Sequence, residues 1–206
     1  NPYETMAFYV DGTPFAESIN NGFMGIGLGF YQDQAGDGKL GTSQLNLTLS
    51  YSQHLADNQS LGAGIQVGYG QRTIDYTNLT WDNQWNGSAY DPSLGSGEPN
   101  PGNNFSYMDV SGGLLWYFYP NEKFNLKLGG SMYHVNQPNQ SFFSNGDDKL
   151  KPRYVVHAAV DISITDKKFY VLPRAIFMTQ GPSSELLLGA FASYQLQDNA
   201  NAPTIS

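Results

Sequence analysis

The sequence predicts an all-β protein, an antiparallel up-and-down β-barrel that crosses a membrane with its strands. Three observations support the prediction. Apolar and polar residues alternate along most of the chain, the alternating segments are long, and the polar positions hold Asn, Gln, Ser, Thr and Gly rather than Lys and Glu. Such strands present one face suited to lipid and another suited to a crowded, uncharged interior.

The composition supports a membrane location and argues against several classes of protein. Charged residues make up 14% of the chain, against roughly 25% in a soluble domain, so part of the surface must face something other than water. No apolar run approaches the ~20 residues of a membrane helix, which excludes helical insertion but not insertion by strands. The net charge of −8 argues against a nucleic-acid partner. The absence of Cys excludes disulfides and thiolate metal ligands.

Nine segments of the chain carry the alternation. In Leu45–Tyr51 the odd positions are apolar and the even positions are small and polar, and in Phe23–Phe30 apolar residues alternate with glycines. The longest runs reach about 10–14 residues, beyond the roughly 5–6 typical of soluble strands and enough for a tilted membrane span. The predicted strands are Glu4–Val10, Phe23–Phe30, Leu45–Tyr51, Ile65–Tyr69, Met108–Phe118, Phe124–Leu128, Tyr154–Ile164, Phe169–Thr179 and Ser184–Leu196.

Connections of two kinds alternate between these strands. The tight turns are Ala56–Ser60, Pro120–Glu122 and Thr165–Lys168, and the longer links are Gln32–Gly41, Thr77–Asn104 and Asn136–Pro152. Outer-membrane barrels have short periplasmic turns and longer extracellular loops, because each hairpin reverses side. We therefore expect the longer links at the extracellular end. The connection Asp11–Gly22 breaks this pattern, because it is long although it lies at the end of the barrel that carries the short turns.

Five charged residues fall inside the predicted strands: Asp109, Lys127, Asp161, Arg174 and Glu185. Charges at membrane depth must turn inward and pair, so we expect all five in the barrel lumen. A salt-bridge network that fills the interior is the favoured interpretation, and a polar pathway through the lumen is the alternative.

The longest link, Thr77–Asn104, carries three aromatic residues, Trp81, Trp85 and Tyr90. An irregular loop of this length is uncommon unless it is functional or disordered. The aromatic residues are predicted to anchor a partner or to fold down onto the lumen. The Asp and Asn residues around them lack the spacing of an EF-hand, so we expect no metal site.

No catalytic site is predicted. The three histidines, His54, His134 and His157, lie on different segments without the spacing of a metal-binding pair, and no Ser lies in a strained Gly-flanked turn. We therefore expect no enzymatic activity and no cofactor. Structural or lumen roles are assigned to the histidines.

Two successive segments give the chain a resemblance to a known family. Met108–Tyr117, which contains a glycine pair, leads to Leu126–Phe142, in which a second glycine pair precedes the run from His134 to Pro138. This succession resembles the PorP/SprF outer-membrane proteins of Bacteroidota. Supporting stretches follow the same order along nearly the whole chain, and the part from His134 to Phe142 is the most specific.

The resemblance implies a location and a function. It implies a barrel of about fourteen strands in the bacterial outer membrane, attached to the type IX secretion and gliding motility apparatus. It further implies association with periplasmic lipoproteins and a part in the secretion or surface display of large adhesins. An outer-membrane channel for small or hydrophobic solutes is the alternative function, and a soluble β-sandwich is the alternative fold.

Residues 1–206 are predicted to form a single transmembrane domain. Nine strands cannot close as an even-numbered bacterial barrel, and open strand edges are not tolerated in lipid. We therefore expect the domain to be incomplete at both termini, so that further strands or another chain complete the barrel.

The segment His134–Phe142, called the lip from here on, is predicted where a strand leaves the membrane and bends into an outward-facing loop. Pro138 stops strand pairing, and Asn136 and Gln140 are expected to satisfy the backbone groups that are freed. A structural corner and a docking surface for a secreted protein both fit this pattern. The candidate residues of the lip are His134, Asn136, Gln137, Pro138, Gln140 and Phe142.

Overall fold

A computed structural model describes residues 3–14, 21–98, 102–143, 145–165 and 169–194. The described residues form nine strands, which confirms the all-β class and the predicted number of strands. The strands are β1 (Tyr3–Gly12), β2 (Gly22–Ala35), β3 (Leu40–Ala56), β4 (Gln59–Thr73), β5 (Asn104–Asn121), β6 (Phe124–Tyr133), β7 (Arg153–Thr165), β8 (Phe169–Gln180) and β9 (Ser183–Tyr194).

Two short 3-10 helices, Tyr76–Asn78 and Asp82–Gln84, lie between β4 and β5. In the described part of the chain, no helix has the length and apolar character needed to span a membrane.

Each strand pairs antiparallel with its neighbour in the chain, so that the order in the sheet runs from β1 to β9. This is the order of up-and-down barrels. A single sheet is not the two-layered sandwich considered as the alternative fold. Among the described residues, β1 and β9 form the two edges of the sheet and do not pair with each other.

The alternation in the sequence sorts side chains onto two unlike faces of this sheet. On the outer face, Leu114, Ile65 and Leu186 are 60%, 58% and 60% exposed. On the inner face, Asp109 and Ser111 are 3% and 5% exposed. Among the described residues, no Ala, Val, Ile, Leu, Met, Phe, Trp or Tyr side chain is buried, so the sheet has no hydrophobic core of its own. An apolar surface of this extent is rare on a soluble monomer and suits contact with lipid.

One end of the sheet carries tight turns, as predicted for Ala56–Ser60 and Pro120–Glu122. Each of these turns follows a register shift, one between His54 and Ala56 and the other between Phe118 and Asn121. Such bulges bend a strand and increase its twist, which turns the chain back at this end. The third predicted turn, Thr165–Lys168, lies mostly outside the described residues.

The opposite end of the sheet carries two long loops, which the structure places at residues 74–103 and 134–152. The prediction of a third long link at Gln32–Gly41 is wrong. Strand β2 continues to Ala35, which pairs with Leu40 of β3, and only residues 36–39 form the turn. Residues 32–34 are polar on both faces, and alternation cannot reveal a strand that extends beyond the bilayer into water. The link Asp11–Gly22 lies partly outside the described residues.

Candidate functional site

The lip lies along the N-terminal part of β5, where β6 does not pair with that strand. Strand β6 pairs with β5 only from Gly112 to Asn121, whereas β5 begins at Asn104. The N–H of Val135 donates to the carbonyl of Val110 at 2.9 Å. The lip therefore begins to take the place of the missing strand directly after β6 ends.

The Asn136 side chain continues this replacement. Its Oδ1 accepts from the N–H of Val110 at 3.0 Å, and its Nδ2 donates to the carbonyl of Met108 at 2.7 Å. A carboxamide offers the donor and the acceptor of a peptide group, so this one side chain supplies the two hydrogen bonds of a strand neighbour. Asn136 therefore binds backbone groups of β5 that β6 leaves without a strand partner.

His134 joins the lip to the inner face of β5. Its Nδ1 lies 3.0 Å from both carboxylate oxygens of Asp109. Asp109 is 3% exposed, and a buried carboxylate is costly unless it is hydrogen-bonded. The backbone of His134 has a φ of 57°, a left-handed conformation that L residues rarely adopt. Asp109 and His134 were predicted to have separate roles, and no local feature of the sequence joins them.

The second half of the lip folds into its own loop. The carbonyl of Pro138 accepts from the N–H of Leu150 at 3.0 Å, and the N–H of Gln140 donates to the carbonyl of Asp148 at 2.8 Å. The ring of Phe142 then meets Phe105 of β5 edge-on, with 4.7 Å between ring centroids. The lip is thus held to β5 near both of its ends, and Gln137 forms the bend between them with a φ of 46°.

Residues 74–103 are called the long loop from here on, and the described residues 74–98 of this loop are held around Gln84. This side chain is 9% exposed. Its Oε1 accepts from the N–H of Trp81 at 3.1 Å, and its Nε2 donates to the carbonyl of Leu94 at 3.2 Å. The carbonyl of Gln84 also accepts from the N–H of Asp91 at 2.8 Å. One glutamine therefore joins three parts of the long loop.

Two of the three predicted anchor residues are exposed on this loop. Trp85 and Tyr90 face each other across a short antiparallel bridge, and they are 60% and 46% exposed. Trp81, the third, is half-buried. The exposed pair offers a broad aromatic surface on a loop whose backbone is held in place.

The Asp and Asn side chains of the long loop bind its own backbone. Asn86 Oδ1 accepts from the N–H groups of Ser88 and Ala89 at 3.0 and 2.9 Å. Asp91 Oδ1 accepts from the hydroxyl of Ser93 at 2.6 Å and from its N–H at 2.9 Å.

These bonds to Ser93, the one from the hydroxyl first, hold the pKa of Asp91 below its usual value. Thr77 lowers the pKa of Asp75 in the same way. Within the described residues, no group of three or more His, Cys, Asp and Glu side chains could hold a metal ion.

The register places the five predicted lumen charges on the inner face. Lys127 of β6 pairs with Ala159, and Ala159 pairs with Arg174 of β8. Asp161 lies two residues beyond Ala159 on the same face of β7. Asp109 and Glu185 occupy the equivalent face of β5 and β9.

Among the described residues, the contacts of Asp109, Lys127, Asp161 and Arg174 do not join into one network. Arg174 Nη2 lies 2.6 Å from Asp161 Oδ1, and Arg174 Nη1 also donates to the carbonyl of Pro173 at 3.0 Å. Lys127 Nζ lies 5.4 Å from the ring centroid of Tyr117, a cation–π contact. Asp109 is bound by His134.

Comparison with known proteins identifies related sequences and structures. A family model described as type IX secretion system membrane protein PorP/SprF matches residues 1–202. Among solved structures, a FadL homologue from Pseudomonas aeruginosa is similar, with 10% sequence identity and a TM-score of 0.45. The match covers 94% of this chain and 66% of the FadL homologue, so the chain spans less than two thirds of that protein. No curated protein shows a significant sequence match.

Proposed function

The chain belongs to the family of type IX secretion system membrane proteins PorP/SprF, and from this premise we propose that it is a non-enzymatic, partner-binding component of that system. It aids the secretion or surface display of large adhesins, as part of the gliding machinery of Bacteroidota. Periplasmic lipoproteins of the machinery are its further partners. The protein lies in the outer membrane, in keeping with its family and with a single antiparallel sheet whose apolar face is exposed.

The observation that carries this proposal is the ordered long loop with its exposed aromatic pair. Trp and Tyr are enriched among residues that dominate protein interfaces. A loop that is already held by Gln84 loses little conformational entropy when a partner binds. The lip supports the same proposal, because Gly102 at the end of the long loop donates its N–H to the carbonyl of Phe142 at 2.9 Å.

We assign the end with the two long loops to the cell exterior. The turns at the opposite end, at residues 57–58 and 122–123, are short, and outer-membrane barrels have their short turns in the periplasm. Secreted adhesins would then meet the long loop and the lip, and periplasmic lipoproteins would meet the short turns.

Deletion of the protein tests the proposal. We expect deletion to abolish surface display of a partner adhesin, measured with antibody on intact cells, without loss of outer-membrane integrity. Complementation with a Trp85→Ala and Tyr90→Ala double variant should not restore display. Complementation with Phe143→Ala, which removes a 48% exposed aromatic residue from the other loop, should restore it. Normal display in the deletion strain would contradict the proposal.

A second function, an outer-membrane channel for small or hydrophobic solutes, is favoured by the uncharged polar side chains on the inner face of β3 to β5. Ser50 and Thr48 of β3 and Gln66 of β4 are examples. Conductance of the purified protein in planar bilayers separates the two functions. Stable open channels favour the channel, whereas a silent protein whose deletion abolishes adhesin display favours the secretion role.

A further inference from the structure

We propose that the inner face of the sheet holds a binding site for a neutral carbohydrate. A hollow of about 420 Å³ lies over strands β2 to β7, within the roughly 300–1,000 Å³ of small-molecule sites. It is formed by strand residues rather than by the long loop or the lip. The inference therefore does not rest on the proposed secretion function.

The walls of the hollow are mainly apolar, with Phe23, Leu115 and Tyr133 among the lining residues, which also include His157. Hydroxyl and amide groups are set into this apolar surface, from Thr48, Ser50, Ser52, Gln66, Ser111 and Ser131. Among the described residues that line it there is no Asp, Glu, Lys or Arg. A charged ligand would lose hydration there without gaining an ionic partner, whereas a neutral ligand rich in hydroxyl groups would find donors and acceptors.

Ser111 gives the hollow an unused hydrogen-bonding group. The residue is 5% exposed, and its hydroxyl has no hydrogen-bond partner among the described residues. Elsewhere in the same wall, the Thr48 hydroxyl donates to Gln66 Oε1 at 3.2 Å. Buried polar groups in native proteins are nearly always hydrogen-bonded. A ligand oxygen in the hollow would supply the partner that the protein does not.

Glycines make the floor of the hollow flat. A Cβ atom at Gly62 or Gly64 would meet nothing nearer than 3.5 Å, so the fold itself leaves room for a side chain at both positions. Glycine inside a strand weakens it and often marks a site where a ligand approaches the backbone closely. A sugar ring has apolar C–H faces and a rim of hydroxyl groups. It would lie flat on this floor with its rim against the serine and threonine hydroxyls.

Binding measurements on the complete protein test the site directly. The protein is purified in a detergent without a sugar headgroup, and maltose and glucuronate are titrated by calorimetry. We expect maltose to bind and the charged glucuronate not to bind. Ser111→Ala should weaken maltose binding about tenfold, the loss of roughly one hydrogen bond. Its unfolding temperature should not change, because no protein hydrogen bond is removed.

A matched pair of variants separates the site from general effects on the sheet. Gly64→Leu places a side chain in the hollow and should abolish maltose binding. Val67→Leu, three residues later on the outer face and not among the residues that line the hollow, should leave binding unchanged. If Gly64→Leu does not fold, the Ser111→Ala affinity decides. Failure of maltose, cellobiose and diacetylchitobiose to bind at millimolar concentration overturns the proposal, as does unchanged affinity in Ser111→Ala.

Swelling of proteoliposomes distinguishes the source of the sugar. Entry of the bound disaccharide would identify a free solute. Binding without entry would identify a glycan carried on a lipid or a protein. Both results support the site, because both require recognition of the same neutral ring.

Discussion

His134 Nδ1, at the start of the lip, lies 3.0 Å from both carboxylate oxygens of Asp109 on β5. The two residues are 25 positions apart in the chain. Next to this contact, the Asn136 side chain binds the backbone of Met108 and Val110. The Asn136 side chain and the Val135 N–H continue the hydrogen bonding of the sheet past the last residue of β6. The lip therefore takes the place of a neighbouring strand at Met108 and Val110, while His134 binds the Asp109 side chain.

Replacement of His134 should destabilise the protein by about 1–3 kcal/mol, because it leaves the buried Asp109 carboxylate without this partner. The left-handed backbone adds to the cost for β-branched residues. We expect His134→Val to be worse than His134→Ala, and His134→Asn to be the mildest. Thermal unfolding in detergent measures the order. His54→Gln, at an exposed position of β3, is the control, and an equal loss for both histidines would contradict the assignment.

Replacement of Asn136 should expose one backbone amide in particular. Asn136→Leu removes the acceptor for the Val110 N–H and the donor to the Met108 carbonyl, and we expect faster hydrogen exchange at Val110. Asn136→Asp keeps the acceptor, so Val110 should stay protected in that variant. Mass spectrometry of peptides that cover β5 measures both. Equal exchange in the two variants would show that the side chain does not act as a strand neighbour.

Gln84→Leu should loosen the long loop while keeping a side chain of similar volume. The N–H of Trp81 and the carbonyl of Leu94 lose their hydrogen-bond partners, at about 0.5–1.5 kcal/mol for each hydrogen bond. We expect faster protease cleavage within residues 74–98 and weaker partner binding. Gln84→Glu retains the acceptor for Trp81 and should be cleaved at an intermediate rate. A loop that resists protease in Gln84→Leu would show that other contacts hold it.

Acid should open the long loop at Asp91 and not at Asn86. The pKa of Asp91 is lowered in the folded protein, so its hydrogen bonds stabilise the loop above the unfolded pKa of about 3.9 and are lost as pH falls through the lower folded value. Exchange of the Ser93 amide should therefore rise only below about pH 4, relative to the intrinsic rate at each pH. The Ser88 amide, bound to the non-titrating Asn86, is the control and should show no such step.

Residue type alone predicted much of the fold and part of the site. Leu45–Tyr51 lies within β3 because alternation is a local property of a two-faced strand. Asn136 and Gln140 were predicted to satisfy freed backbone groups because Pro138 stops strand pairing and polar turn residues bond to nearby backbone. The partners of the Asn136 side chain, Met108 and Val110, were not predicted, because they depend on where β6 stops. Gln84 gave no signal at all, since a buried glutamine looks like any other polar loop residue in the sequence.

The sequence by itself determined that the described part of this chain forms nine two-faced strands and, where apolar and polar residues alternate, which face each residue occupies. Only the tertiary structure decided which residues meet across the strands, including Asp109 with His134 and Asp161 with Arg174. The physical reason lies in the period of a strand. Side chains repeat every two residues, so alternation assigns a face but is unchanged when two strands slide by two residues. Turn geometry and register set the partners, and these are properties of the folded sheet.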